Sequence, residues 1–502
     1  MHIIPTLALL YAAATLTSAH PPPNHPAQNP LEVTTSTGTY IGIINGTTPH
    51  VRQFLNIPYA LPPTGDRRWL AAVPPRTNSS TVIDATKFGL VCPQHLSDKP
   101  NVFNTLLPGF LVPRGPGTMS EDCLSLAIWT PTGDVRGLPV VVFMTGGGFI
   151  IGGANIAYQM PHHWVQRTQS HIVVSINYRV DIMGFPNARG LDDQNLGILD
   201  QRRAHEWVRD NIRAFGGDPE KITLWGQSAG AASTEFHAFA YHKDPIAKGF
   251  VMTSGTASMG IPPPDPTYAN FTFVAQSLGC NISTPESELQ CMRQHPMAEI
   301  MQFIGQRRDN GTTPALSFVP TPDETVVFSN YTERYNLGLV TKAPAIIGST
   351  TDEGTTLVPY TDINIGPDRA LVDAVTKLTF HCPAARTTAT RGRNGLTTYR
   401  YLYTGNFTNT SPVPWLGAYH SGDLPYWFGT YGDFTEGGGQ RSETEVSEIM
   451  QDYLLAFMKD PERRLRREGW PETSSGLLMK FSGERRAKEL VRAKVWIGPV
   501  GR

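Results

Sequence analysis

One short segment near the middle of the chain constrains it most. Gly226-Gln227-Ser228-Ala229-Gly230 matches a G-x-S-x-G pattern. Alone the pattern is weak, since about 0.2 chance matches are expected in a chain of this length at average residue usage. Its setting is stronger. Lys221 to Trp225 reads as a strand and Ala231 to Phe239 as a small-residue helix. The serine therefore falls in the strand–turn–helix that lifts a nucleophilic hydroxyl above the end of a sheet. Glycines belong there because the turn is strained and a side chain two residues from the serine would clash.

The rest of the chain supplies strands for such a sheet. Leu138 to Met144 and His171 to Tyr178 are continuous apolar runs, suited to strands buried on both faces. Gly249 to Thr253 and Ala345 to Gly348 are further strand candidates. Arg202 to Phe215 reads as a helix, with Ala204, Trp207, Val208, Ile212 and Phe215 at helical spacing and Gly216-Gly217 as its stop. Strands alternating with helices predict an α/β protein with a large central, mostly parallel mixed sheet covered by helices. Leu31 to Ile44 alternates as antiparallel strands do. Residues 260–335 are richer in Pro, Asn and polar helix signals and read as an inserted cap. No repeat and no clean linker is visible, so residues 20–502 are expected to form a single domain.

Composition removes other classes. Hydrophobic residues make up 40% and charged residues 17%, against about 25% charged in an average chain, which excludes a disordered polyelectrolyte. Lys+Arg is 42 and Asp+Glu is 43, without the basic excess of a nucleic-acid binder. Ile3 to Leu16 is short and apolar, Thr17-Ser18-Ala19 is a small-residue cleavage site, and a Pro-rich stretch follows. Residues 1–19 are thus expected to be a secretory signal peptide, shorter than the roughly 20 residues of a membrane span. No later segment is long and apolar enough to span. Sequons begin at Asn45, Asn78, Asn270, Asn281, Asn310, Asn330, Asn406 and Asn409, predicting a secreted glycoprotein. The five cysteines imply two disulfides and one leftover thiol. Their spacing fits no zinc motif. Cys92–Cys123 and Cys280–Cys291 would each close a modest loop, but spacing alone leaves the pairing open.

A serine hydroxyl needs a base to act as a nucleophile. After a G-x-S-x-G turn the partners follow in the order acid, then histidine. Ala343 to Gly348 is a strand with Asp352-Glu353-Gly354 in the loop behind it, so either carboxylate is a candidate. His420 and His381 are rival bases. Acyl transfer also needs donors for a tetrahedral oxyanion, worth about 3–4 kcal/mol each. Gly146-Gly147-Gly148-Phe149, directly after the strand Val140 to Met144, exposes successive backbone N–H groups. It fits neither a Walker loop nor a dinucleotide fingerprint.

From about Gly38 to Pro471 these pieces resemble the type-B carboxylesterases, the cholinesterase-like branch of the α/β-hydrolases, and secreted fungal members in particular. The resemblance is carried by Phe54-Leu55-Asn56-Ile57-Pro58-Tyr59-Ala60 with Pro62-Pro63, by Ser120-Glu121-Asp122-Cys123-Leu124 through Pro131, by Asn177-Tyr178-Arg179 and by Phe215-Gly216-Gly217-Asp218-Pro219. It implies an α/β-hydrolase fold with inserted cap loops. It implies a triad of Ser228, Glu353 and His420, the last followed by Tyr426-Trp427-Phe428-Gly429. It implies oxyanion donors at Gly147, Gly148 and Ala229, bridges Cys92–Cys123 and Cys280–Cys291, and an unpaired Cys382. The reaction implied is hydrolysis of a small-molecule ester through an acyl-serine, with no metal or cofactor and no nucleic-acid partner. No feature sets an oligomeric state.

Three departures carry information. Gln227 stands where the family usually has Glu. The loop between Cys92 and Cys123 holds Phe103 and Phe110 but no Trp. Glu353 and His420 are nearer in sequence than is usual, implying a trimmed helical cap. The first two remove features that favour cationic substrates, so neutral esters are expected, a fungal secondary metabolite among the candidates. A lipase using Leu106, Leu107, Phe110, Leu111 and Val112 as an interfacial lid is the alternative within this chemistry, with a plain gorge wall as the simpler role for that cluster. A non-catalytic adhesion ectodomain of the same fold is the alternative outside it, and such proteins lose triad members that this chain keeps. Arg463, Arg464, Arg466 and Arg467 read as a solvated helix face.

Overall fold

The computed structural model describes residues 29–78, 80–260, 264–434, 440–483 and 486–493. The expected signal peptide, residues 1–19, lies outside the described residues. Among these, one sheet has eleven strands. In chain order they are Ile43–Ile44 (β1), Val51–Pro58 (β2), Ser125–Pro131 (β3), Leu138–Met144 (β4), Ile172–Ile176 (β5), Gly217–Gln227 (β6), Gly249–Thr253 (β7), Ala345–Thr350 (β8), Thr398–Tyr403 (β9), Leu477–Phe481 (β10) and Lys488–Arg492 (β11). Their spatial order is β1-β2-β3-β5-β4-β6-β7-β8-β9-β10-β11. From β5 to β10 every neighbouring pair is parallel. Both outer ends are antiparallel.

The strands β4, β5 and β7 are almost wholly apolar because both faces of the sheet are covered there. Side chains alternate across a strand. Val141 and Phe143 of β4 enter one core with Val446, Met450 and Leu454 of the helix Arg441–Lys459. Val140, Val142 and Met144 enter another, with Ala204, Trp207 and Val208 of the helix Leu196–Asn211 and Ala231 and Ala238 of the helix Ala229–Ala240. The expected cap is three helices, Ala269–Ser277, Pro285–Gln294 and Met297–Asn310. They close over a core of Phe271, Val274, Leu289, Met292, Ile300 and Ile304 that they share with Trp69, Ile182 and Leu196 of the body.

Two elements are longer than the sequence predicts. The helix expected from Arg202 begins at Leu196. Its first turn is buried, and a Cβ on Gly197 would run into the Arg179 carbonyl, so that turn shows no polar face to mark the period. The strand β6 begins at Gly217 rather than Lys221, because its register with β4 is irregular where Pro219 interrupts the ladder.

Cys92 is bonded to Cys123 and Cys280 to Cys291, and Cys382 is free and half-buried. A thiol reagent added to the denatured, unreduced protein should therefore count one thiol per chain, on Cys382. A non-reduced peptide map with Cys382 in a bridge would overturn this pairing. Asn45, Asn78, Asn281, Asn310, Asn330 and Asn406 are exposed. Two sequons fit a sugar poorly: Asn270 spends its amide on the Ser317 carbonyl at 3.0 Å, and Asn409 on the Tyr431 carbonyl at 2.8 Å.

Candidate active site

Ser228 sits between the end of β6 and the start of the helix Ala229–Ala240. Its φ of +56° and ψ of −120° lie outside the regions a non-glycine residue favours. The strain is held from two sides. The Ser228 N–H donates to the Thr253 carbonyl at the end of β7, at 2.8 Å. A Cβ on Gly226 would collide with the Gly230 carbonyl, and one on Gly230 with the Met144 carbonyl. The two glycines thus let the helix cross close over β4 and β6, and that crossing forces the serine out of the backbone path.

The loop after β8 carries both candidate acids and separates them. The Asp352 carboxylate pairs with Arg369 at 2.9 Å and accepts the Thr351 hydroxyl at 2.8 Å. Its backbone N–H donates to the Ala418 carbonyl at 2.9 Å, drawing the loop that bears His420 alongside. Glu353 turns the other way and is fully buried. Its Oε1 accepts the Thr350 N–H at 2.8 Å and its Oε2 lies 2.5 Å from His420 Nδ1. Burial pushes the Glu353 carboxyl up, but the facing imidazole and the Thr350 N–H outweigh it and hold it below the usual carboxylate range.

With Nδ1–H donated to Glu353, Nε2 is the acceptor nitrogen of His420. It lies 3.1 Å from the Gln227 amide nitrogen, over the turn that carries Ser228. His381, the rival base, points elsewhere: its Nε2 donates to the Thr350 carbonyl at 2.8 Å. Asp423 is also buried nearby. Burial, aided by Glu353, pushes its carboxyl up to about 6 against hydrogen bonds from Tyr401 at 2.7 Å and Trp427 at 3.3 Å.

The glycine turn after β4 completes the arrangement. Gly147 has φ +114°, and a Cβ there would strike the Ile151 backbone. Its carbonyl accepts the Ile150 and Ile151 N–H groups at 3.0 and 3.1 Å, so the Gly148 N–H of the same trans peptide points the opposite way. Among the described residues, the N–H groups of Gly147, Gly148 and Ala229 have no hydrogen-bond partner. Two bracing residues escape sequence reasoning. The Gln94 amide spans Gly152, accepting its N–H and donating to its carbonyl, both at 2.8 Å. Asn177 accepts the Ala154 N–H at 2.8 Å. Nearness of Gln94 to the bridged Cys92 was the one available signal for the first; the second lies in a quoted motif but shows its role only in space.

A sequence profile of the carboxylesterase family matches residues 29–367 and 364–494. The chain belongs to the carboxylesterase family. It is 38% identical to "Secreted lipase 5" of Gibberella zeae, over 97% of this chain and 96% of that protein. It is 42% identical to "Chlorogenic acid esterase" of Aspergillus niger, over 92% and 88%. More distantly it is 34% identical to "Acetylcholinesterase" of Gallus gallus, over 63% and 42%. The chain is a carboxylic ester hydrolase with an α/β-hydrolase sheet.

In this carboxylesterase the first disulfide loop is packed against the body. Leu107, Phe110 and Val112 are buried, and Leu106 and Leu111 are partly so. Phe110 lies 4.2 Å from the Tyr158 ring and meets the edge of Tyr419, which precedes His420. Tyr158 in turn packs at a tilt against Phe434, ring centroids 4.0 Å apart, and Phe434 is exposed. Two clusters of metal-ligand type occur among the described residues, Cys280–Cys291–His295 and His162–His163–Asp433. The sulfurs of the first are spent in a bridge, and neither includes a residue of this site. Among the described residues no helix is long and apolar enough to cross a membrane.

Proposed function

We propose that this carboxylesterase is exported and hydrolyses neutral esters by acyl transfer through Ser228. The observation that carries the reading is His420, bonded through Nδ1 to a buried carboxylate while its Nε2 stands over the strained serine turn. Ser228 attacks the ester carbonyl as His420 takes its proton. The Gly147, Gly148 and Ala229 N–H groups receive the oxyanion. His420 then returns the proton to the leaving alcohol, and water releases the acid from the acyl-serine by the same steps. Glu353 orients the imidazole and stabilises its charged form. Export rests on the leader-like residues 1–19, the exposed sequons and the relative named as secreted.

The names of the two fungal relatives frame the substrate range: an aryl-acyl ester of the chlorogenic acid kind, or a lipid ester. The ring series Phe110, Tyr158 and Phe434 favours the first. A lipase reading requires the buried Leu107, Phe110 and Val112 to swing out at an interface, and a rate that jumps above the solubility limit of tributyrin would support it. A panel of p-nitrophenyl butyrate, chlorogenic acid and tributyrin, each run with Ser228→Ala, tests the proposal. Hydrolysis of none of them, or equal hydrolysis by the variant, would remove it.

Charge preference is a second expected outcome. A carboxylate a few Å from a cation in a partly dry site is worth about 1–4 kcal/mol, and a cation–π contact about 0.5–2 kcal/mol. Here an amide occupies position 227, and Asp423 already accepts two hydrogen bonds. kcat/KM for butyrylcholine should not exceed that for its neutral isostere, 3,3-dimethylbutyl butyrate, and Gln227→Glu should raise the cationic ester relative to the neutral one. A tenfold preference for the choline ester in the wild type would show a cation site elsewhere in the gorge.

A further inference from the structure

The chain behind the acid adopts one unusual turn. A helix over Arg369–Val375 passes into a π-helical turn over Thr376–His381 and then into the helix Cys382–Arg393. π turns are rare, and they cluster at functional sites. This one touches the candidate triad at three points. The Thr376 hydroxyl accepts the Gly354 N–H at 2.9 Å, next to Glu353. The Phe380 ring lies 4.7 Å from the His420 ring. His381 Nε2 donates to the Thr350 carbonyl at 2.8 Å. The Thr350 N–H is the group that holds Glu353 Oε1, so Thr350 is clamped at both of its backbone groups.

The π geometry is what allows all three contacts. An α-helix advances about 100° per residue, so residues four and five beyond Thr376 would lie about 40° and 140° away from it. A turn with i→i+5 bonds advances about 80° per residue, which places them about 40° to either side. Phe380 and His381 then flank Thr376 on one face. The burial pattern agrees: Thr376 and Phe380 are buried, His381 is half-buried, and Lys377 and Leu378 are exposed. The fit is close, since a Cβ on Gly354 would strike the Val372 carbonyl of the preceding helix.

We propose that His381 is a positioning residue for ester hydrolysis, acting through Thr350 on Glu353, and that the π turn exists to bring it there beside Phe380. The inference rests on the reading of Glu353 and His420 as partners of Ser228. His381 does not touch the reacting atoms. It sets where the last residue of β8 lies, and so where the carboxylate meets the imidazole.

The test compares His381→Leu, which removes the donor at similar volume, with His381→Gln, whose amide N–H reaches the same carbonyl. His381→Leu should lower kcat for p-nitrophenyl butyrate about 10–30-fold, leave KM within about twofold, and slow phosphorylation of Ser228 by an organophosphate in parallel. His381→Gln should recover kcat to within about threefold of wild type. His381→Asn, polar but too short to reach Thr350, should lose as much as the Leu variant and stands in for it should the Leu variant not fold. Wild-type kcat in the Leu or Asn variant overturns the proposal, as does equal loss in all three variants or a loss borne by KM or Tm. Failure of the organophosphate to label Ser228 in the wild type would instead remove the triad reading beneath it.

Discussion

Ser228→Ala is expected to lower kcat for p-nitrophenyl butyrate by about 10⁴–10⁶-fold, the scale of losing the nucleophile of a serine triad. Stability should hardly change. The turn is shaped by the contacts of Gly226 and Gly230 and by the Ser228 N–H bond to Thr253, none of which uses the hydroxyl. In the wild type an organophosphate should phosphorylate this serine alone, because it follows the residue whose amide meets His420 Nε2, which places its turn beside the proposed base. Mass spectrometry of the inhibited protein checks the site. Phosphorylation at another serine, with the alanine variant still turning over, would place the nucleophile elsewhere.

Glu353→Gln should cost about 10³–10⁴-fold in kcat, while the neighbouring Asp352→Asn costs less than about tenfold. The glutamate accepts two hydrogen bonds, one at each oxygen, from Thr350 and His420. An amide has one acceptor oxygen. Its NH₂ must face either the Thr350 N–H or the imidazole nitrogen, and the second choice forces the tautomer that leaves Nε2 without its lone pair. Asp352 loses a pairing with an exposed arginine and keeps its backbone bond to Ala418. Steady-state kinetics of the two variants decide the matter. Equal losses, or a larger loss at Asp352, would reassign the acid.

The parts of this site that were legible in the sequence are those fixed by neighbours in the chain. Gly226 to Gly230 announces its turn because the closeness of Gly226 to the Gly230 backbone falls within five residues, and the buried run of β4 announces a strand because both faces are covered. The choice of His420 over His381, and of Glu353 over Asp352, depends on which way a side chain turns after a long loop. No local periodicity carries that, and only the resemblance to a known family resolved it. The π turn at Thr376–His381 was not legible at all, since an i→i+5 register has no composition of its own and the apolar residues around Phe380 suit an α-helix equally well. Gln94 likewise shows its purpose only once the disulfide loop lies against Gly152.

The crossing of β6 and the following helix also limits how this enzyme can change. Of the five residues in the turn, Gly226 and Gly230 have no room for a Cβ, Ser228 is the proposed nucleophile, and Ala229 is enclosed with Phe149 and Phe236. Within the turn that leaves Gln227, buried and with its amide on His420 Nε2, as the one residue whose side chain can change without moving the backbone crossing. Variation inside the turn is channelled into a single codon, and a broader change in the ester accepted has to come from residues outside it, such as Phe110 and Tyr158.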